Sequence, residues 1–342
     1  MTAVFCENAA DRKAETWMKR LAPFGRLEFA VSDAAKGIAK AVADVAAARR
    51  DDPGAPPLEH GLDVFHTAME AHRVLARYWR GAEAAWAEAE AADGDVAAAK
   101  RQGLDARGAA QTARAAWGRA VARFEHAERL GSAWGRARAA LDLFGPDGRL
   151  NDRARAEAEI GAGLKGLVGP DWAKVRNSLR DRRGLAFLDG MHRRLESAEP
   201  RRGWREAMAW RWWLRHRRPT TPDPMTGLVR AAARDRVPVP AERASYDRVA
   251  AVLNDTFRAS SAVECMNSVL RMQQSRHRRM TQPMLDLKRL YWNCHPFRSG
   301  PRKDASPYQA LGLDLPTFDF WTLLQTDPGE LTQRLSTARN TE

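Results

Sequence analysis

Two alanine-rich stretches constrain this chain most. Residues 81–100 are half alanine with glutamate interspersed, and residues 111–130 continue the style with arginine. Alanine is the strongest helix former, and runs this polar have no strand alternation. Each stretch therefore predicts a long helix. Gly103–Gly108 between them predicts a turn. Together they read as an antiparallel helical hairpin.

The flanks differ from the hairpin. Residues 1–75 read as α/β. Thr2–Cys6 is a short apolar run of the kind that ends a strand, and Asp11–Leu21 has helical spacing. Leu27–Val31 reads as a strand, Ala34–Ala48 as a helix and Gly61–Phe65 as another short strand, with His66 opening a helix to about Arg80. Beyond the hairpin, Phe144–Gly148 is a turn, and further helices are broken at Gly161–Pro170, Gly184 and Pro200. Arg201–Arg218 is a basic, tryptophan-rich helix, Thr220–Pro240 a proline-rich linker and Glu242–Phe257 an amphipathic helix. Helices are expected from Ala262 to about Met272 and from Met284 to Trp292, with a short turn at Tyr308–Leu313.

The chain has 342 residues, of which 44% are apolar. That excludes a disordered chain and suggests two or three domains. No apolar run is long enough to span a bilayer, and the first residues lack the build of a signal peptide. Cys6, Cys265 and Cys294 form no Cys-x-x-Cys pair, which argues against a disulfide framework or a structural zinc. The expectation is a soluble cytoplasmic protein with no membrane partner.

The net charge of +13 is concentrated. Residues 201–218 hold seven arginines and one acid, and residues 271–303 hold nine Lys/Arg and one acid, which accounts for the whole excess. Such clustering points to a polyanionic partner, because each neutralised phosphate releases counterions. The plainer alternative is solvation of helices by arginine. Trp204, Trp210, Trp212 and Trp213 are interleaved with these arginines and suit either base stacking or helix packing.

Few residues carry candidate chemistry. Asp33 follows a predicted strand directly, where ligand sites of α/β sheets gather, and suits a metal ligand or simply a helix cap. Glu264, Asn267 and Arg271 share one face of the helix that opens after Ser260-Ser261, either as a functional set or as a solvated stripe. Asp63-x-x-His66 crosses a strand-to-helix junction, and a hydrogen-bonded structural histidine is the better reading. There is no glycine-rich phosphate loop, no Gly-x-Ser-x-Gly elbow and no catalytic Cys/His couple.

Three features in this order resemble the DDE-type transposases of bacterial insertion sequences. Val31-Ser32-Asp33-Ala34-Ala35-Lys36-Gly37-Ile38 is similar to the strand with the family's second catalytic Asp. Asp63-x-x-His66 resembles the Asp/Cys-x-x-His signature that follows it. Arg258-Ala259-Ser260-Ser261-Ala262-Val263-Glu264-x-x-Asn267-Ser268-x-Leu270-Arg271, then Tyr291-Trp292-Asn293-x-His295-Pro296-Phe297 and Ser306-Pro307, resembles the family's closing helix with its catalytic Glu and the motifs after it. The third match is the most specific.

The resemblance implies an incomplete ribonuclease-H-like α/β core, mostly helical overall because a large all-α insertion interrupts it. The implied organisation is a core part at 1–75, the insertion at 76–257, the rest of the core at 258–315 and a tail at 316–342. It implies metal-dependent DNA cleavage and strand transfer by in-line phosphoryl transfer, with Asp33 and Glu264 as catalytic ligands of Mg²⁺ (or Mn²⁺), two ions in a complete enzyme. DNA, as transposon ends and target, is the implied partner, in a bacterial, nucleoid-associated setting where a homodimer is compatible. The expected DNA contacts are Asn267, Arg271, Arg276, Arg278, Arg279, Lys288, Arg211, Arg215 and Arg218. The family's first catalytic Asp, on an earlier strand, has no counterpart here. The expectation is a chain truncated at its start, with little or no strand transfer alone. Two alternatives stay open: a non-catalytic DNA-binding remnant and a helical interaction scaffold.

Overall fold

The computed structural model describes residues 11, 13–33, 35–50, 52, 54–216, 239–256, 258, 281–298, 303–310, 312–313, 315–331 and 333. These residues are mostly helical, with one two-stranded parallel sheet. The chain divides into two compact units, one of Trp17–Ser260 and one of Met1–Thr16 with Ser261–Glu342. No helix among the described residues is long and apolar enough to cross a membrane.

After α1 (Ala14–Leu21), the larger unit begins its sheet with β1 (Phe29–Ser32), crosses over through α2 (Lys36–Arg50) and returns in β2 (Glu59–Leu62). The strands pair in parallel with Phe29 opposite Glu59 and Ser32 opposite Leu62. Gly61 has to be glycine-sized, because a Cβ there would stand 2.6 Å from the Phe29 ring. Both strands are displaced from the sequence expectation. Leu27 is held in a turn by its N–H bond to the Phe24 carbonyl, so β1 starts later. Asp63 caps the next helix, which takes Val64 and Phe65 from the expected second strand.

That helix, α3 (Val64–Arg101), runs unbroken where a stop near Arg80 was expected. The expected boundary between residues 75 and 76 therefore falls inside it. Gly81 does not interrupt it, since an interior glycine costs only about 1 kcal/mol relative to alanine. α3 packs on α4 (Arg107–Ala139) through buried alanines at three- and four-residue spacing, Ala82, Ala85 and Ala89 facing Ala113, Ala116 and Ala120. The hairpin expected from composition is present and longer than the alanine runs.

α5 (Arg153–Gly166) is capped by Asp152, passes through Gly161 and ends at Gly166, inside the break expected at Gly161–Pro170. Two of its glycines serve packing: a Cβ on Gly163 would meet the Ala133 carbonyl oxygen of α4 at 2.8 Å, and one on Gly166 the Ala133 side chain at 2.6 Å. The chain continues through a 3-10 turn (Pro170–Trp172), α6 (Ala173–Arg180), a second 3-10 turn (Arg182–Leu185), α7 (Ala186–Ala198), α8 (Arg202–His216) and α9 (Pro240–Asn254). The main core gathers Trp172, Leu188, Met191, Leu195, Leu130 and Val249.

One buried carboxylate joins the last three helices. Glu199, between α7 and α8, accepts from Arg201 Nε at 2.8 Å, from Arg248 Nη2 at 2.8 Å and from the Ser245 hydroxyl. These donors, Arg201 first, hold its carboxyl well below the ordinary glutamate range.

In the smaller unit, α10 (Gln282–Cys294), α11 (Pro307–Ala310) and α12 (Phe320–Gln325) are described. Ser306 and Gln309 form a reciprocal cap at the start of α11: the Ser306 N–H donates to Gln309 Oε1, and the Gln309 N–H donates to Ser306 Oγ. Tyr291 of α10 meets Phe320 of α12 edge-on at 5.4 Å.

Candidate functional site at the strand ends

Parallel strands place their carboxyl ends side by side, and the helices that follow start there. In this chain Asp33 ends β1 and Asp63 ends β2. Both line a cleft of about 620 Å³, with Lys36, Arg73, Lys174 and Arg183 in its wall. α2 and α3 begin at this rim, so the positive ends of both helix dipoles lie on the same side as the cations.

The two aspartates do different work. Asp63 is buried; its Oδ1 accepts the Phe65 N–H at 2.8 Å, and its own N–H donates to the Ser32 carbonyl at 2.9 Å. His66 Nε2 stands 3.6 Å from Asp63 Oδ2, which gives the Asp-x-x-His pair a structural footing at the start of α3. Asp33 is exposed, and its Oδ1 accepts the Ala35 N–H at 3.2 Å, a cap-like bond at the start of α2. At the start of α3 the Val64 N–H donates to the Arg258 carbonyl at 3.0 Å.

Behind Asp33 runs a directed chain of hydrogen bonds. Arg183 pairs with Asp181 through Nη2–Oδ2 at 2.7 Å and Nε–Oδ1 at 3.0 Å. The same guanidinium donates to His60 Nδ1 at 3.3 Å, and His60 Nε2 lies 2.7 Å from Ser32 Oγ, which donates to the Asp33 carbonyl at 2.9 Å. Arginine has no acceptor, so His60 Nδ1 must accept and Nε2 must carry the proton. Burial, then the Arg183 charge, pushes the His60 pKa down and keeps it neutral. Its Nε2 is therefore a donor to Ser32 and cannot take the serine's proton. The serine–histidine contact is a brace for the end of β1, not an activated nucleophile.

The cations are partly neutralised. Lys174 Nζ is 3.1 Å from Glu70, and Arg73 is 3.9 Å from the same carboxylate. Among the described residues, no group of three or more His, Cys, Asp or Glu side chains could hold a metal ion. Asp33 offers the hard oxygen that Mg²⁺ prefers, but the described donors do not complete a site.

The other expected site residues scatter. Glu264, Asn267, Arg271, Arg276, Arg278, Arg279 and Arg218 lie outside the described residues. Lys288 is half-buried on α10, in the smaller unit. Arg215 is exposed, with its guanidinium 4.9 Å from the Tyr246 ring centre. Arg211 corrects the sequence reading: it is buried and lies 3.3 Å from Glu242, joining α8 to α9 instead of facing solvent. Arg201, Arg202 and Arg205 also bond acids or carbonyls of their own chain. Of the tryptophans, Trp212 stacks on Phe144 at 5.6 Å and Trp213 packs against the main core, which fits helix packing.

Sequence reasoning missed His60, Lys174, Asp181 and Arg183. Arg183 is 123 positions from His60, and no local pattern marks that pairing. No family model matches the chain, and no curated protein and no solved structure matches it.

Proposed function

We propose that this chain is a DNA-binding protein related to DDE-type transposases, whose chemistry is metal-dependent cleavage and strand transfer, with Asp33 and Glu264 as its Mg²⁺ (or Mn²⁺) ligands and, without the family's first catalytic Asp, weak or no strand transfer by this chain alone. The observation that carries the reading is the placement of Asp33: an exposed carboxylate at the carboxyl end of a parallel strand, over a cleft whose wall holds four cations and, besides Asp33, the acids Asp63, Glu70 and Asp181. The β1–α2–β2 unit followed by a helical segment supports the reading only as a fragment that an interrupted ribonuclease-H-like core could contain. The family and the metal rest on the sequence resemblance.

The chain's own residues account for phosphate binding. Lys36 and Lys174 are exposed ammonium groups at the rim, and Arg183 presents a guanidinium fixed by Asp181. Each suits a phosphodiester oxygen. A bound divalent ion would supply charge neutralisation at the reacting phosphate.

The test is Mn²⁺ titration of the full chain with a nicked duplex present, read by water-proton relaxation. Saturable binding is expected, weakened by more than about tenfold in Asp33→Asn and in Glu264→Gln, the scale on which even outer-shell partners of a metal act. Unchanged Mn²⁺ affinity in both variants overturns the metal assignment. The second reading, a non-catalytic DNA-binding protein, is favoured by the bond from Asp33 to the Ala35 N–H, which a capping role alone explains. It keeps a steep fall of DNA affinity with salt and no response to Mn²⁺.

A further inference from the structure

Along one edge of the α3–α4 hairpin four aromatic rings form a continuous row. Trp79 meets Phe124 edge-on at 5.3 Å, Phe124 meets Trp86 at 6.2 Å, and Trp86 meets Trp117 edge-on at 5.0 Å. The two rings on each helix are seven residues apart, two turns on one face. Trp86 is 40% exposed, Phe124 39%, and Val121, between Trp117 and Phe124, 45%. Beneath the row the packed cluster of this half of the hairpin is Ala85, Ala89, Ala116 and Ala120. A contiguous apolar surface of this kind on a thin two-helix arm marks an interaction site.

The charges beside the row say what covers it. From residue 81 to 99, α3 carries five acids and no base; from residue 107 to 124, α4 carries four arginines and no acid. A nucleic acid is disfavoured by the acidic helix. A second copy is favoured, because it brings a basic helix to the acidic one and an acidic helix to the basic one. Glu90 lies one turn beyond Trp86, and Arg114 one turn before Trp117, so both stand one turn past the same ring pair. Neither makes an ion pair among the described residues.

We propose that this edge is the interface with a second copy of the chain, related by a two-fold axis parallel to the helices, with α3 of one copy against α4 of the other. Such an interface uses the same patch twice. The aromatic rows pack on each other, and Glu90 of each copy faces Arg114 of the other. The opposite arrangement, α3 on α3, would oppose five acids to five acids. The inference does not depend on the DNA reading above.

Sedimentation equilibrium of the full chain without DNA tests it. A dimer dissociating in the micromolar range is expected. Trp86→Glu should weaken it by about tenfold or more while the helical circular dichroism is unchanged. Glu90→Arg and Arg114→Glu should each weaken it through opposed like charges, and the double variant should regain the dimer. Because both charged residues are exposed, these reversals read the interface even if Trp86→Glu disturbs the arm. A monomer at every concentration overturns the proposal. So does a dimer that neither Trp86→Glu nor either charge reversal weakens, or a double variant no tighter than the single ones.

Discussion

The two halves of the α3–α4 hairpin use the same geometry with different residues. Near the main core the pair contributes Val74, Leu130 and Trp134, which pack with Trp172, Leu188 and Met191. In the far half the buried positions are all alanine. Burying a leucine-sized side chain contributes roughly 1.5–3 kcal/mol, and a single methylene-sized group about 0.8 kcal/mol. The far half therefore exists because alanine is a good helix former, while the near half is held by burial. Opening free energies follow such differences, so the far half should open on its own, below the global transition.

Two substitutions sharpen that contrast. The larger effect is expected in the body. Trp172 is fully buried, and Trp172→Ala should cost about 3–5 kcal/mol of global stability, read from urea denaturation. A loss under 1 kcal/mol would mean that the body is packed no better than the arm. The second is Ala120→Gly, in the far seam, where the intrinsic helix penalty is about 1 kcal/mol. It should raise amide exchange on the arm and leave the urea midpoint of the body nearly unmoved. If the midpoint falls by the full penalty, arm and body unfold as one unit and the comparison breaks.

The same contrast explains what the sequence made legible. The hairpin was readable because alanine content and helical spacing are local signals, and both persist through Gly81 and Gly94. The strands were readable to within a few residues from short local runs, Leu27–Val31 before Asp33 and Gly61–Phe65 around Asp63. Asp33, Asp63 and His66 could be singled out for that reason, each next to the element it serves. The rest of the cleft was not legible. Lys174, Asp181 and Arg183 come from α6 and the turn after it, and only tertiary packing brings them to β2. Charge counting misled at Arg211, because a run of arginines does not say which one turns inward to meet Glu242. The Gly161–Pro170 break was legible only coarsely: α5 runs on through Gly161 to Gly166, and it is Gly163, not Gly161, whose missing side chain lets α4 approach.

The smallest expected effect separates the polar joints of the body from its apolar core. His60 is held neutral by burial and by Arg183, below the ordinary histidine value of 6.5. The unfolded chain takes up that proton near 6.5 while folded His60 resists it, so the unfolded state binds more protons in this window. Stability then rises with pH through the window and declines as pH falls below 6.5. Glu199 acts further down: its contribution is complete above the ordinary glutamate value of 4.5 and is lost as pH falls from there toward its depressed folded value. The urea midpoint measured against pH should therefore decline in two stages. His60→Gln should flatten the upper stage and leave the lower one, and Glu199→Gln should do the reverse at a lower baseline stability. If His60→Gln keeps the full slope below 6.5, the Arg183–His60–Ser32 brace carries no weight in the fold, and the end of β1 is held by packing alone.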